Sequence, residues 1–275
     1  MFKWLGKLFK RKKLRNETRD LKDNIDPDTK EAIITPSMSV LAPKLWYPKA
    51  IKYQKPMRVR GHYKNNWPVG AVIHFTAGRT RPAPIGSTRS GYPTTALGMG
   101  KKSMESAISD QAYAYLVNDQ DGNIHQAHDM STWGYHAGES SWPSLGTSLS
   151  SKLVGIENQS AGTLSKVSEG VYKAYFTDVK KGDKYFHEHE VRHIKTKVDH
   201  RQIGIYHKFT EAQEKSLIDL LMWLKHSNPS VFSFDNCLSH DEISPKRKND
   251  IGGSLSMSMP EFRQFLKEEY KKRYE

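Results

Sequence analysis

The apolar positions of this chain change period several times. From Val69 onward, Gly70-Ala71-Val72-Ile73-His74-Phe75 is a continuous apolar run of strand length, which predicts a buried strand. Ala112 to Val117 and Leu153 to Ile156 read the same way. Between Leu116-Val117 and Ile124, Asp121-Gly122-Asn123 is a hairpin signal. Helical spacing takes over in three places. Lys101 to Ser109 carries the weakest pattern. Glu211 to His226 has a broad stripe of Leu217, Ile218, Leu220, Leu221 and Leu224, with Thr210 placed to cap it and Gln213 to close a capping box. Ser258, Pro260 and Glu261 start a last helix, through about Lys271, with Phe262, Phe265 and Leu266 on one side. Strands interleaved with helices predict an α/β fold, a central β-sheet flanked by helices.

The first 66 residues follow another pattern. Phe2, Leu5, Leu8 and Phe9 recur at helical spacing among lysines. Residues 1–15 thus read as a basic amphipathic segment, suited to an anionic membrane surface or to packing on a partner protein. Lys3 and Lys7 interrupt its apolar core and no small-residue cleavage site follows, so it is not read as a signal peptide. Residues 16–66 are polar, with prolines at 27, 36, 43, 48 and 56, and predict a linker or an arm draped on the main domain. Trp46 and Tyr47 mark a part of it that packs. Residues 67–275 form the remaining domain.

Composition narrows the function classes. Of 275 residues, 36% are hydrophobic, enough for a real core. The net charge of +13 implies attraction to something anionic: nucleic acid, acidic lipid or an anionic cell wall. Seven of the 43 basic residues fall within the first fifteen positions, so about half of that excess is local. A nucleic-acid partner is supported by charge alone, without a zinc finger, a Gly-rich phosphate loop or an aromatic nucleic-acid motif, so no specific one is expected. The lone Cys237 excludes a disulfide framework or a Cys-rich zinc ribbon and reads as a buried, inert thiol.

Three segments carry candidate chemistry. His74 ends a predicted buried strand just before a turn, where a rigid element can present a ligand to a cleft. His240 and Asp250 are ten residues apart across a Pro-containing loop that can fold back so that both side chains meet one ion. Leu153-Val154-Gly155-Ile156-Glu157-Asn158 is a strand ending in a carboxylate. Two imidazoles and one carboxylate are a common catalytic zinc set, leaving a fourth position for water or substrate. A second carboxylate can then act as general base, and an ammonium such as Lys248 can stabilise an oxyanion.

Together these segments resemble the type 2 N-acetylmuramoyl-L-alanine amidases, the zinc amidases of phage endolysins and bacterial wall-recycling enzymes, related to peptidoglycan recognition proteins. The resemblance rests on Ile73-His74-Phe75-Thr76-Ala77-Gly78, the Asp121-Gly122 hairpin, and Trp133-Gly134-Tyr135-His136-Ala137-Gly138. Val154-Gly155-Ile156-Glu157 and His240 with Pro245-Lys246-Arg247-Lys248-Asn249-Asp250 complete it, in order, over about residues 66–270. It implies an amidase-like fold with a central mixed β-sheet and a basic N-terminal extension. It implies Zn²⁺ held by His74, His240 and Asp250, Glu157 as general base and Lys248 as electrostatic partner. His136 would line the substrate groove, and Tyr113 would match a tyrosine that some phage members place near the metal. Many phage members use Cys as third ligand; Asp250 here follows the recycling type, and the usual Asp-Pro-Gly is Asp250-Ile251-Gly252. Residues 161–206 are a long polar insertion rich in Tyr, Lys and His.

The expected activity is hydrolysis of the amide joining N-acetylmuramic acid to L-alanine in peptidoglycan. The expected protein is a phage-type lysin, made in the host cytoplasm before release to the wall, or virion-associated. Residues 1–15 would contact an anionic membrane surface or a virion protein. Two alternatives stand beside this reading. One is a non-catalytic peptidoglycan-binding module, disfavoured because all three ligands are present. The other is a zinc metallopeptidase using His189, Glu190 and His193. Its His-Glu-x-x-His pattern lies among Lys184, Arg192, Lys195 and Lys197 rather than on an apolar helix, and reads as an exposed strand. His125 and His128 read as surface residues flanking a strand.

Overall fold

The computed structural model describes residues 45–53, 55–81, 92–108, 112–181 and 183–275. The amphipathic segment 1–15 and the arm up to residue 44 lie outside the described residues. The rest of the arm enters the fold as β1 (Ile51–Lys52) and β2 (Gly61–His62). The apolar run becomes β3 (Gly70–Phe75), buried at every position. Next come α1 (Ala96–Ala107), the hairpin of β4 (Tyr115–Asn118) and β5 (Ile124–Gln126), β6 (Thr132–Trp133), a small hairpin of β7 (Ser141–Trp142) and β8 (Gly146–Thr147), and β9 (Leu153–Asn158). The polar insertion holds β10 (Thr163–Ser168), β11 (Val171–Lys173), β12 (Phe186–His187), β13 (Val191–Ile194) and β14 (Gly204–His207). The chain closes with α2 (Glu211–Ser227), β15 (Cys237–Ser239), α3 (His240–Ile243) and α4 (Met259–Tyr274).

The main sheet has the order β1-β5-β4-β9-β3-β15. β4, β9, β3 and β15 run parallel, and β5 is antiparallel to β4, so the sheet is mixed, as expected. Side chains alternate across it with period two. Ala71, Ile73, Phe75, Leu116, Val154 and Ile156 share one core with Leu217, Leu220, Leu221 and Leu224 of α2 and Phe262 and Leu266 of α4. Each such buried leucine contributes about 1.5–3 kcal/mol. The alternate positions point the other way. There Val72 packs with Leu149, Leu153 and Leu238, and Val117 packs with Met104 and Ala107 of α1. His74, Gly155 and Glu157 share the parity of that second face, between the two patches.

The arm is a working part of this domain. β1 pairs with β5 at the sheet edge, and Tyr47, Met57 and Tyr63 are buried. The Tyr63 hydroxyl donates to the Leu153 carbonyl at 3.1 Å. α2 starts as its capping box predicts: Thr210 Oγ1 accepts from Gln213 N at 3.1 Å, and Gln213 Oε1 from Thr210 N at 3.0 Å. α1 begins five residues earlier than its pattern predicts, capped by Thr95 onto Gly98 N. Gly98 and Gly100 weaken the helical signal there. Gly100 is needed for packing, because a Cβ at that position would lie 2.1 Å from His125 Nε2.

That contact corrects one expectation. His125 and His128 are buried, not on the surface. His125 Nε2 meets Asp119 Oδ2 at 2.9 Å and its Nδ1 meets the Tyr53 hydroxyl at 3.1 Å, so the ring ties the arm to the hairpin.

The insertion is an ordered antiparallel sheet, β12-β11-β10-β14-β13, over its own core of Leu164, Tyr172, Phe186 and Val191. The His-Glu-x-x-His segment is not one continuous strand. A single 3-10 turn, Glu188–Glu190, separates β12 from β13, and the Glu190 carboxylate accepts from His187 N at 2.9 Å to cap it. His189 stacks on His187, His193 bonds Glu188 at 3.1 Å, and Glu190 pairs with Arg81. The three residues of the metallopeptidase alternative therefore have separate partners. Burial does hold for Cys237, which packs in β15.

Candidate metal centre and active site

Two strands and one loop assemble the site. His74 and Glu157 are each the fifth residue of a six-residue strand, and the parallel β3–β9 ladder puts them opposite each other. β15 pairs with β3 on the other side, Ser239 opposite Ile73, so His240 emerges next to His74. The turn that carries His240 is braced. Glu242 accepts from Ser239 N at 3.0 Å, and Arg263 of α4 holds the same carboxylate with two bonds of 3.0 Å.

The following loop brings Asp250 back. Asp241 N donates to the Asp250 carbonyl at 2.6 Å, and Gly252 N donates to Asp241 Oδ2 at 3.2 Å. Residue 252 has a positive φ of 48°, and a Cβ there would lie 2.2 Å from the Tyr206 ring. Glycine is required on both counts.

The result is a tight triangle. His74 Nδ1 and His240 Nδ1 are 3.0 Å apart, and Asp250 Oδ2 lies 3.1 Å from the first and 3.0 Å from the second. All three side chains are buried. This is the one group of three or more His, Cys, Asp or Glu with ion-binding proximity among the described residues. His240 Nε2 sits 3.0 Å from the Ala137 carbonyl, which can only accept, and 3.4 Å from the Arg247 guanidinium, which can only donate; the shorter contact puts the proton on Nε2 and turns the Nδ1 lone pair to the triangle.

The donor set fits zinc. Tetrahedral zinc with N and O ligands at about 2.0–2.1 Å implies ligand–ligand edges of roughly 3.3 Å, close to those found. Two imidazoles and a carboxylate are the chemistry such sites use, and their converging lone pairs call for a cation at the centre. Burial pushes the His74 pKa down to about 4, so a proton on that ring does not supply the cation at neutral pH. Burial would raise the pKa of Asp250, but the two imidazoles more than offset it and keep the carboxylate ionised.

Glu157 stands beside this triangle. Burial, reinforced by the charge of Asp250, pushes its pKa up to about 8, with Lys248 pulling the other way. Its Oε2 is buried and has no hydrogen-bond partner among the described residues. Leaving a buried carboxylate oxygen unmatched costs on the order of 1–3 kcal/mol, and such groups cluster at functional sites. Lys248 is close enough for its charge to act on both His74 and Glu157. Its backbone is tied by N–H to Ser244 O at 2.9 Å and by its carbonyl to Gln202 Nε2 at 3.0 Å.

His136 is brought to the site but engaged on both sides: Nδ1 lies 3.1 Å from His74 Nε2, and Nε2 lies 2.8 Å from the Leu153 carbonyl. Tyr113 is exposed, its ring 6.4 Å from that of Tyr135. The tyrosine that feels Glu157 is Tyr115, whose pKa is raised by burial and then by that carboxylate. Sequence reading missed Tyr115. The signal was its parity, since it precedes Val117, the β4 partner of Glu157, by two residues and so shares the site face. Arg247 was missed as well: its guanidinium donates to Ala137 O at 2.8 Å and Glu139 O at 2.9 Å, clamping the 137–139 segment.

The profile of the family described as N-acetylmuramoyl-L-alanine amidase (Amidase_2) matches residues 64–253. No curated protein matches the chain. Among solved structures, a selenomethionine derivative of AmpD is similar at 18% identity and a TM-score of 0.45, over 80% of this chain and 95% of that one. The endolysin amidase LysCS from Clostridium intestinale URNW is similar at 13% identity and a TM-score of 0.42, over 82% and 99%. AmiD from E. coli, solved with anhydro-N-acetylmuramic acid-L-Ala-D-gamma-Glu-L-Lys, is similar at 19% identity and a TM-score of 0.41, over 70% and 55%.

Proposed function

The chain belongs to the N-acetylmuramoyl-L-alanine amidase family, and on that premise we propose that it is a zinc-dependent, phage-type wall lysin that cuts the amide between N-acetylmuramic acid and L-alanine in peptidoglycan. The observation that carries this reading is the convergence of His74, His240 and Asp250 to within 3.1 Å of one another with Glu157 beside them.

His74, His240 and Asp250 would hold the zinc, which when bound would supply a Lewis acid for the scissile carbonyl and for the attacking water. The protein supplies the rest. Glu157 takes a proton from the attacking water at its unmatched Oε2 and delivers it to the leaving amine of L-alanine. Lys248 places a positive charge where the carbonyl oxygen becomes an oxyanion. The braced turn at His240 and the Asp241–Gly252 bond hold the ligands, so little reorganisation is needed during reaction.

The phage-type part of the proposal draws on residues 1–15, whose lysines and apolar positions suit an anionic envelope surface or a virion contact. Such a lysin would act on the wall from the host cytoplasm or from the virion. Detection of the protein in purified virions separates those two routes.

Mass spectrometry of digested peptidoglycan, with and without a chelator, tests the activity. Expected products are stem peptides with a free L-alanine amine and intact glycan strands, lost on chelation and restored by Zn²⁺. Cleavage within the peptide or the glycan, or digestion indifferent to chelator, would refute it.

A further inference from the structure

A neutral imidazole offers one nitrogen as a lone pair, and His74 must offer Nδ1 to join His240 and Asp250 at one ion. Among the described residues its Nε2 meets no carbonyl or carboxylate, but the Nδ1 of His136 at 3.1 Å. Taken alone, that contact is ambiguous, because either nitrogen could donate. The far side of the His136 ring resolves it. His136 Nε2 lies 2.8 Å from the carbonyl oxygen of Leu153, which can only accept. His136 therefore carries hydrogen on Nε2 and a lone pair on Nδ1. His74 must then donate from Nε2, which leaves its Nδ1 lone pair directed at Asp250 and His240.

We infer that His136 is a positioning residue that sets the tautomer of His74, with the Leu153 carbonyl of β9 as its fixed reference. This rests on the proposal that His74, His240 and Asp250 hold the metal.

The packing is built for that role. A Cβ at residue 155 would lie 2.7 Å from His136 Cγ and 2.9 Å from its Nδ1, so the ring occupies a slot that only the bare backbone of Gly155 leaves open. His136 N and Ala137 N both donate to Ser150 Oγ, at 3.2 and 3.0 Å, which fixes the segment from below. The rings of His74 and His136 meet edge-on at 81°. Residue 137 completes a bracket: its carbonyl accepts from His240 Nε2 at 3.0 Å and from Arg247 at 2.8 Å. One dipeptide thus orients both imidazoles, the first by a ring and the second by a carbonyl. With both nitrogens of His136 engaged, this role differs from the groove-lining one that the family resemblance implies.

The test uses the full chain. His136→Leu removes the acceptor for His74 Nε2–H, whereas His136→Asn keeps an acceptor oxygen near the position of Nδ1. Zinc affinity, measured by competition with a chromophoric chelator, should fall about 10–100-fold in His136→Leu, the usual cost of losing a partner that orients a ligand. It should return to within a few-fold of the parent in His136→Asn. Gly155→Ala should weaken zinc in the same way by displacing the ring. In the metal-free parent, side-chain ¹⁵N NMR should show Nε2–H on both His136 and His74. A folded His136→Leu with parental zinc affinity, or hydrogen on Nδ1 of His136, overturns the inference. If His136→Leu does not fold, the ¹⁵N assignment and Gly155→Ala decide. Failure of the parent to bind zinc would sink the metal reading instead, and the ¹⁵N tautomers would still decide the relay.

Discussion

His74 and Glu157 stand opposite each other at one register of the β3–β9 ladder. In a parallel pair such residues share a face and lie side by side, so two backbone hydrogen-bonded strands fix the spacing between a candidate metal ligand and a carboxylate. Neither group depends on a loop for its position. The division of labour can be tested by changing one without the other. Glu157→Gln keeps the size of the side chain but removes its basicity. Turnover on purified peptidoglycan should fall about 10²–10⁴-fold, while the zinc content, read by atomic absorption, stays at that of the parent. Digestion at the parental rate would remove Glu157 from the role of base.

Asp250→Asn tests the other half. The substitution removes the one formal negative charge of the ligand triangle at nearly constant volume. Zinc affinity should drop by more than the 10–100-fold that losing an orienting partner costs. A thermal readout follows from mass action. Zinc at a hundred times its Kd should stabilise the parent by about 2.7 kcal/mol, and that rise in Tm should vanish for Asp250→Asn at the same concentration. An equal rise in both proteins would mean that the ion sits elsewhere.

The parts of the fold legible in the sequence are those set by local physics. The apolar run at 70–75, the hairpin at Asp121-Gly122 and the Thr210–Gln213 capping box each needed only a few neighbouring residues, and each is where its pattern placed it. α1 was blurred by its two glycines: Gly98 sits against Pro93 and Thr95 at the start of the helix, and Gly100 leaves room for the distant His125 ring. His125 looked exposed because its partners, Asp119 and Tyr53, are brought together only by the sheet. Residues 161–206 read only as a long polar insertion because their strands are short and polar on the outer face, and the core they share is small. At the site, the candidate ligands were found through motif order; their proximity comes from strand pairing that no linear spacing encodes. Tyr115 was hidden for the same reason, since its relevance depends on which residue of β9 it sits beside.

The Asp119–His125 pair yields a stability prediction away from the site. Asp119 Oδ1 accepts from Asp121 N and Asn123 N at 3.0 Å each at the half-buried turn, and its Oδ2 meets the buried His125 Nε2 at 2.9 Å. Asp119→Ala would leave these partners unmatched in the hairpin and loosen the ring that holds Tyr53 of the arm. Each buried group left without its partner costs about 1–3 kcal/mol, so denaturant unfolding should show a loss of about 3 kcal/mol. A change under 0.5 kcal/mol would mean that water replaces the carboxylate without strain.

His207 gives the pH dependence its sign. The ring is 4% exposed, packs on Phe186, and accepts from Ala161 N at its Nδ1 over 3.1 Å. Burial, aided by the charge of Arg81, pushes its pKa down to about 4 from an ordinary 6.5. Between those two values the unfolded chain binds a proton that the native state refuses, so stability falls as pH drops through this window and is fully present above it. The full effect is about 3 kcal/mol. His207→Asn can keep an acceptor for Ala161 N but cannot titrate. Comparing it with the parent cancels the acid response of the other buried histidines. The stability difference between the two proteins should be constant above pH 7 and shift in favour of the variant by up to that amount as pH falls towards 4. Parallel stability curves from pH 7 to pH 4 would show that the native state admits the proton after all, by opening the Ala161 bond or the β10–β14 sheet around it.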